Sequence, residues 1–417
     1  MRRRQAFTLV ELLVALALIL FMMAILSQAF VAATQSFREI KAAGDLAEKL
    51  RAVSIQLRRE LAADHFEGKK RLSQPSFWDS GPPRQGFFRI YQGSRPRPGG
   101  LCTLEGVDAD GIPSYRSADH ALHFTVKLRG NQEGDFFSTG VPAGSPLLTN
   151  LFGSLEARYQ GASAYRSQWA EVVYFLRPSV GPQNVADTAN GIPLYSLYRR
   201  QRLAVPNNVV IPPQPAALAS AYVEVSCTRD PANPDSLYFN TPLDLTVPAR
   251  RFGDDPNGLP SIAVPNYGLS YPILSEQSAD ANLHGADLVL ADVVSFDVRV
   301  LLAVNPGGYG GPADPRNPFT DLYDPSVDVY DNGNPVLFAA NGPRVFDTWS
   351  SAYSGVRGVP DYSTWNVPGK ATSMPMWKAN APNNNLGGPI VQAIQIAIRV
   401  WDAKTSLTRQ ITIVQAM

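Results

Sequence analysis

From Phe7 to Ala33 the chain is predominantly apolar and its only ionisable side chain is Glu11. At about 1.5 Å of rise per residue, roughly 20 helical residues cross a bilayer core of about 30 Å, so this run is long enough to span. Arg2, Arg3 and Arg4 stand in front of it, and the positive-inside bias then leaves the N-terminus in the cytoplasm and exports the rest. A secretory signal has a shorter apolar region of roughly 7–15 residues that ends at a small-residue cleavage site. Here the run passes instead into a further helical pattern. A plain signal-anchor leaves Glu11 without a reason, because a carboxylate near the middle of a membrane helix costs about 2.5–3.5 kcal/mol and needs a partner.

The residues around that carboxylate are distinctive. Ala6-Phe7-Thr8-Leu9-Val10-Glu11, behind a basic leader, resembles the processing site of type IV pilins and pseudopilins. The resemblance implies that prepilin peptidase cuts between Ala6 and Phe7 and methylates the new amino group of Phe7. It also implies that Glu11, fifth in the mature chain, offsets the N-terminal amine of a neighbouring subunit and so sets register. A carboxylate and an ammonium in low dielectric depend on each other more than they do in water. The residue before the cut is usually Gly in that family and is Ala6 here. Cleavage would remove Arg2, Arg3 and Arg4 and no acid.

Beyond Gln35 the pattern becomes amphipathic. Phe37, Ile40, Ala43, Ala47, Leu50, Val53, Leu57 and Leu61 recur at spacings of three or four and read as one stripe of a helix. Arg38, Glu39, Lys41, Asp45, Glu48, Lys49, Arg51, Arg58, Arg59 and Glu60 fall on its solvated side, with Gly44 a weak point and an end expected near Asp64–Gly68. The remainder reads as antiparallel sheet. Leu122, Phe124, Val126 and Leu128 alternate with His123, Thr125, Lys127 and Arg129; Val172–Leu176 and Leu194–Arg202 look like two more strands. Asp292–Leu301 alternates in the same way, and Ala393–Val414 reads as a closing hairpin turning at Asp402–Thr405.

The fold class expected is therefore α+β: a long N-terminal helix, membrane-spanning and then amphipathic, packed on an antiparallel β-sheet. The divisions are a leader at 1–6, a spanning segment at 7–33, an amphipathic periplasmic helix at 34–66 and a globular β domain at 67–417. Inserts rich in Pro, Gly, Asn and Asp occupy about 74–118, 202–285 and 303–389. Loops of that length are usually functional or contain structure that periodicity does not reveal. The strand order resembles J-type minor pseudopilins of type II secretion; the size and inserts are more like the large Verru/Chthon cassette pilin-like proteins.

Several function classes are set aside by composition. Lys and Arg number 37 against 36 Asp and Glu, which gives no general electrostatic grip on nucleic acid. His65, His120, His123 and His284 are too few and too scattered for zinc or acid–base chemistry, and His120 and His123, three apart on a strand, would face opposite ways. No Gly-x-Ser-x-Gly elbow occurs, and Gly307–Gly311 lacks the following Lys-Ser/Thr of a phosphate loop. The chain is not read as an enzyme and calls for no cofactor. A Ca²⁺ ion is the exception to weigh: Asp108 and Asp110 begin a calcium-like loop, and Asp321, Asp324, Asp328 and Asp331 cluster in the last insert. Asp and Asn are also ordinary turn formers. Trp349, Trp365, Trp377, Tyr353 and Tyr362 would serve either core packing or a binding face.

Cys102 and Cys227 would both be exported, and an oxidising periplasm permits a disulfide that closes a loop on the order of a hundred residues and contributes about 2–4 kcal/mol. The function expected is a minor pilin-like subunit of a type II secretion pseudopilus or a type IV pilus-like fibre. Its partners would be prepilin peptidase, other pilins or pseudopilins, the inner-membrane assembly platform and the lipid bilayer, with no nucleic acid. The alternative is an exported adhesin or binding module that uses the pilin-type helix as an anchor.

Overall fold

One helix sets the scale of the molecule. In the computed structural model α1 runs unbroken over Leu9–Leu61, 53 residues, or about 80 Å at 1.5 Å per residue. The structure describes residues 8–77, 83–92, 102–107, 113–149, 163–179, 187–206, 211–215, 218, 221–230, 233–247, 250–251, 288–302, 318–319, 321, 345–348 and 390–417. From Thr8 to Lys41 every residue but Thr34 is exposed. The C-terminal part behaves differently: Leu50, Val53, Leu57 and Leu61 are buried against the sheet.

The apolar stripe read from spacing therefore divides. Phe37 and Ile40 are 73% and 69% exposed, and Ala47 is exposed too. Each three-residue step falls about 60° short of a full turn, so residues joined by repeated threes wander off the sheet-facing side. The helix also ends earlier than the expected Asp64–Gly68. Ala62 caps it, donating to the carbonyl of Arg58. Asp64 then leaves helical geometry because its carbonyl accepts from the Lys127 amide at 2.7 Å, bridging to the sheet.

The strands follow in chain order. β1 is Phe88–Tyr91, β2 Cys102–Val107, β3 Pro113–Ser117 and β4 Ala121–Lys127. β5 is Phe137–Gly140, β6 Ala164–Ser167, β7 Trp169–Pro178, β8 Thr188–Ala189 and β9 Ile192–Pro193. β10 is Tyr195–Leu203, β11 Gln214–Pro215, β12 Cys227–Asp230 and β13 Asn233–Phe239. β14 is Leu288–Leu302, β15 Val345–Asp347, β16 Val391–Asp402 and β17 Leu407–Ala416. Eight of them form one antiparallel sheet in the order β15-β1-β4-β7-β10-β14-β16-β17. The α+β architecture is as the sequence predicts, with the β7–β10 pair and the β16–β17 hairpin in place. The regions read as inserts are not structureless: β1, β2 and β3 lie in the first, β11–β13 in the second and β15 in the third.

Neighbouring strands β14 and β16 are separated in the chain by β15, which lies at the opposite edge of the sheet. The core is the sheet face that receives α1. Phe88, Ile90, Leu122, Phe124, Val172, Tyr174, Phe296, Val298, Ile394 and Ile396 meet Leu50, Val53 and Leu57 there. Leu57 is fully buried, so Leu57→Ala is expected to cost about 2–5 kcal/mol from lost burial plus the cavity left behind. Denaturant unfolding of the full-length chain would read this, and a change below about 1 kcal/mol would mean that the helix is not seated as described.

The other face is covered as well. His123 of β4 pairs with Glu171 of β7 at 2.9 Å, and Ser226 donates to the second Glu171 oxygen at 2.9 Å. These alternating polar positions are buried rather than solvated, because the segment around β12 and β13 lies over them. At the sheet's entry Gly86 has φ +76, and a Cβ there would stand 2.1 Å from the His65 carbonyl. Only glycine fits that contact.

Candidate assembly site on the N-terminal helix

Thr8 has extended geometry, φ −75 and ψ 149, and is the N-cap of α1. Its amide and its hydroxyl each donate to Glu11 Oε2 at 3.0 Å, and the Glu11 amide donates back to Thr8 Oγ1 at 3.3 Å. This is a capping box, which satisfies donors that the first helical turn otherwise leaves open. Sequence reasoning assigned Glu11 only to a neighbour's amine and missed this local use. The signal was present in Thr8-Leu9-Val10-Glu11, a Thr-x-x-Glu spacing immediately ahead of an apolar run. The two uses are compatible, since the box occupies Oε2 alone among the hydrogen bonds of the described residues.

Past the cap, the helix is long and apolar enough to cross a membrane, and none of its most apolar stretch is buried within the protein. An isolated helix satisfies its own backbone, which is the requirement for crossing lipid. Thr34, where the apolar run closes, donates its hydroxyl back to the Phe30 and Val31 carbonyls at 3.0 and 2.8 Å.

The far end of α1 is locked to the sheet. Glu60, expected on the solvated side, is only 8% exposed. Its Oε1 accepts from Arg199 Nε at 2.8 Å and Nη2 at 2.6 Å, and its Oε2 accepts from the Tyr174 hydroxyl at 2.5 Å. Burial, then the adjacent Glu60 carboxylate, pushes the Tyr174 phenol well above its ordinary value, so it stays neutral and donates. Burial works against the charge on Arg199, but the Glu60 carboxylate outweighs it and the net shift is upward. Arg58 Nη1 reaches the Val414 carbonyl at 2.8 Å and ties the same turn to edge strand β17. No spacing rule finds Glu60, because its partners lie 114 and 139 residues away.

The remaining expected sites are distributed as follows. Arg2, Arg3, Arg4, Ala6 and Phe7 lie outside the described residues. So do Asp108, Asp110, His284, Gly307–Gly311, Asp324, Asp328, Asp331, Trp349, Tyr353, Tyr362, Trp365 and Trp377. Cys227 is half-buried in β12, while the side chain of Cys102 in β2 lies outside the described residues. Asp321 faces a cation, Arg299, at 3.6 Å. Among the described residues no three His, Cys, Asp or Glu side chains converge as metal ligands. His123 lies in β4, whereas His120 precedes that strand in the turn from β3, so the expected strand alternation does not relate them.

The family described as the prokaryotic N-terminal methylation motif matches residues 1–27. No curated protein and no solved structure matches the chain. The motif is that of a pilin- or pseudopilin-type precursor, the kind that prepilin peptidase processes, and it covers the basic N-terminal residues, the capping box and most of the apolar run.

Proposed function

We propose that the protein is a minor pilin-like subunit of a type II secretion pseudopilus or a type IV pilus-like fibre. It is cleaved between Ala6 and Phe7, methylated on Phe7 and held in the inner membrane by α1, with residues 34–66 and the globular part from 67 onward on the periplasmic side. The observation that carries this reading is the division of one continuous helix. Its first half is apolar and uncovered, starting at the Thr8–Glu11 box, and its last turns are ion-paired into a sheet. Such a rod transmits any displacement of the membrane segment directly to the β domain. The size of the β domain and its long connections favour a minor or terminal position, since bulky segments would crowd a uniform shaft. Extraction from the membrane would require the assembly platform, and lateral packing would require other pilins.

Intact-mass measurement on protein from cells with active prepilin peptidase tests the processing step. The expected mature chain begins at Phe7 and carries one methyl group; an uncut N-terminus would overturn the reading. The same spectra with and without reductant report on the Cys102–Cys227 pairing, which we also propose. Glu11→Ala is expected to leave cleavage intact and to abolish assembly. Glu11→Gln separates the two uses of the side chain, because an amide oxygen still closes the box with Thr8 but brings no charge to a neighbour's ammonium. Assembly failing in both variants supports the charge role, and normal assembly in Glu11→Gln removes it.

A further inference from the structure

β14 outruns its neighbour. Its last pairing with β10 is Tyr195↔Val293, while on the other side it stays paired to β16 as far as Leu302↔Val391. On the side that β10 leaves open, groups from distant segments bond to β14 where a strand would otherwise pair. The Ser117 amide donates to Ser295 Oγ at 2.9 Å. Gln92 Nε2 donates to the Val298 carbonyl at 2.6 Å, and the Val298 amide donates to His120 Nδ1 at 3.1 Å.

That last bond fixes the state of the ring. A nitrogen that accepts has no proton, so His120 is neutral with its proton on Nε2. His120 is 1% exposed, and Nε2 has no hydrogen-bond partner among the described residues. A second group waits at Nδ1: Asp297 Oδ1 stands 3.4 Å from the same atom. Asp297 also accepts from Ser117 Oγ at 3.2 Å and, through Oδ2, from Arg299 Nε at 2.9 Å.

We propose that His120 is a proton-operated pin, holding the turn between β3 and β4, and with it the β2–β3 hairpin, against β14 when neutral and releasing it when protonated. A proton taken from solvent onto Nδ1 converts the acceptor into a donor. The Val298 amide then faces an N–H instead of a lone pair, and the new N–H turns to Asp297 Oδ1. The charged groups around the ring are Asp119 on its own turn and Asp297 and Arg299 on β14, with Asp321 behind Arg299. Burial is the main influence and lowers the ring's proton affinity; Asp297 and Asp119 oppose it and Arg299 assists it. Because the folded value is depressed, the folded state binds the proton less readily than the unfolded chain. The free energy that keeps the pin closed is full above about pH 6.5, the ordinary value of an unfolded histidine, and declines as pH falls from there towards the lower folded value. The outer attachment of the hairpin is of a different kind, the Glu105–Arg399 ion pair to β16.

Hydrogen exchange followed by mass spectrometry tests this on the full-length chain in detergent micelles, between about pH 7.5 and 5 and corrected for intrinsic rates. Peptides covering 115–121 and 294–300 are expected to lose about tenfold in protection per pH unit once the pin titrates, while the β16–β17 hairpin keeps its protection. His120→Gln retains an acceptor for Val298 without a titrating ring, so its protection should be independent of pH. A flat wild-type profile overturns the proposal even if the variant fails to fold, and so does an equal loss in His120→Gln. A loss in wild type that spreads equally to β16–β17 also overturns it, since that is global acid unfolding.

Discussion

Glu60→Ala is expected to destabilise the protein by about 3–5 kcal/mol, the range for removing one partner of a buried, fully hydrogen-bonded ion pair. The magnitude follows from what remains behind. Arg199, whose side chain is 17% exposed, would keep its charge between helix and sheet with only the neutral Gln201 oxygen, at 2.6 Å, still accepting from it among the bonds around Glu60. Tyr174, fully buried, would lose the acceptor of its hydroxyl. Glu60→Gln keeps an acceptor in place and should cost less than the alanine variant. Replacing Glu60 and Arg199 together by Met should recover much of the loss, because no uncompensated charge is then buried. Denaturant unfolding of the full-length chain in micelles, followed by tryptophan emission, reads all three. A Glu60→Ala variant within about 1 kcal/mol of wild type would show that the helix is held by apolar contact alone.

Legibility from sequence followed the kind of interaction involved. The apolar run, the Glu11 motif and strands β7, β10, β14, β16 and β17 were readable because one periodicity dominates each of them. The short strands β1 and β15 were not. β1 is Phe-Arg-Ile-Tyr and β15 Val-Phe-Asp, and a charged residue in such a short run reads as a loop. In the fold Arg89 and Asp347 are directly opposite one another and nearly inaccessible. His123 and Thr125 misled in the same way: alternation marks them as a polar face, and polar is ordinarily read as solvated. Their burial depends on partners such as Glu171 and the His65 carbonyl, which no local window contains. Glu60 is the helical version of the same blind spot. The candidate site was half legible, since the Glu11 motif announces itself and the helix-to-sheet lock does not.

Asp347→Ala should have an effect of similar size, about 3–5 kcal/mol, and a more local signature. Asp347 Oδ2 accepts from Arg251 Nη1 at 2.6 Å and lies 3.7 Å from Arg89 Nε. Arg251 is fully buried, donates to the Leu245 and Thr246 carbonyls at 2.8 Å each, and places its guanidinium 3.8 Å from the centre of the Phe87 ring. One carboxylate thus stands between two buried cations. Deleting it removes a negative charge from beside two buried cations, in a site with little access to water where charges are screened far less than at a surface. Asp347→Asn preserves shape and an acceptor for Arg251 but not the charge. If electrostatics dominate, the asparagine variant should lie close to alanine; if the hydrogen bond dominates, it should lie close to wild type. The strand involved is a sheet edge held by three register pairs and by the reciprocal bonds between Phe88 and Thr348. Its detachment should therefore precede global unfolding, seen as early exchange at 345–348 and 244–251 while β7 and β10 stay protected. Uniform loss of protection across the sheet would instead make this node part of the cooperative core, and the β15 edge would have to be counted as integral to the sheet.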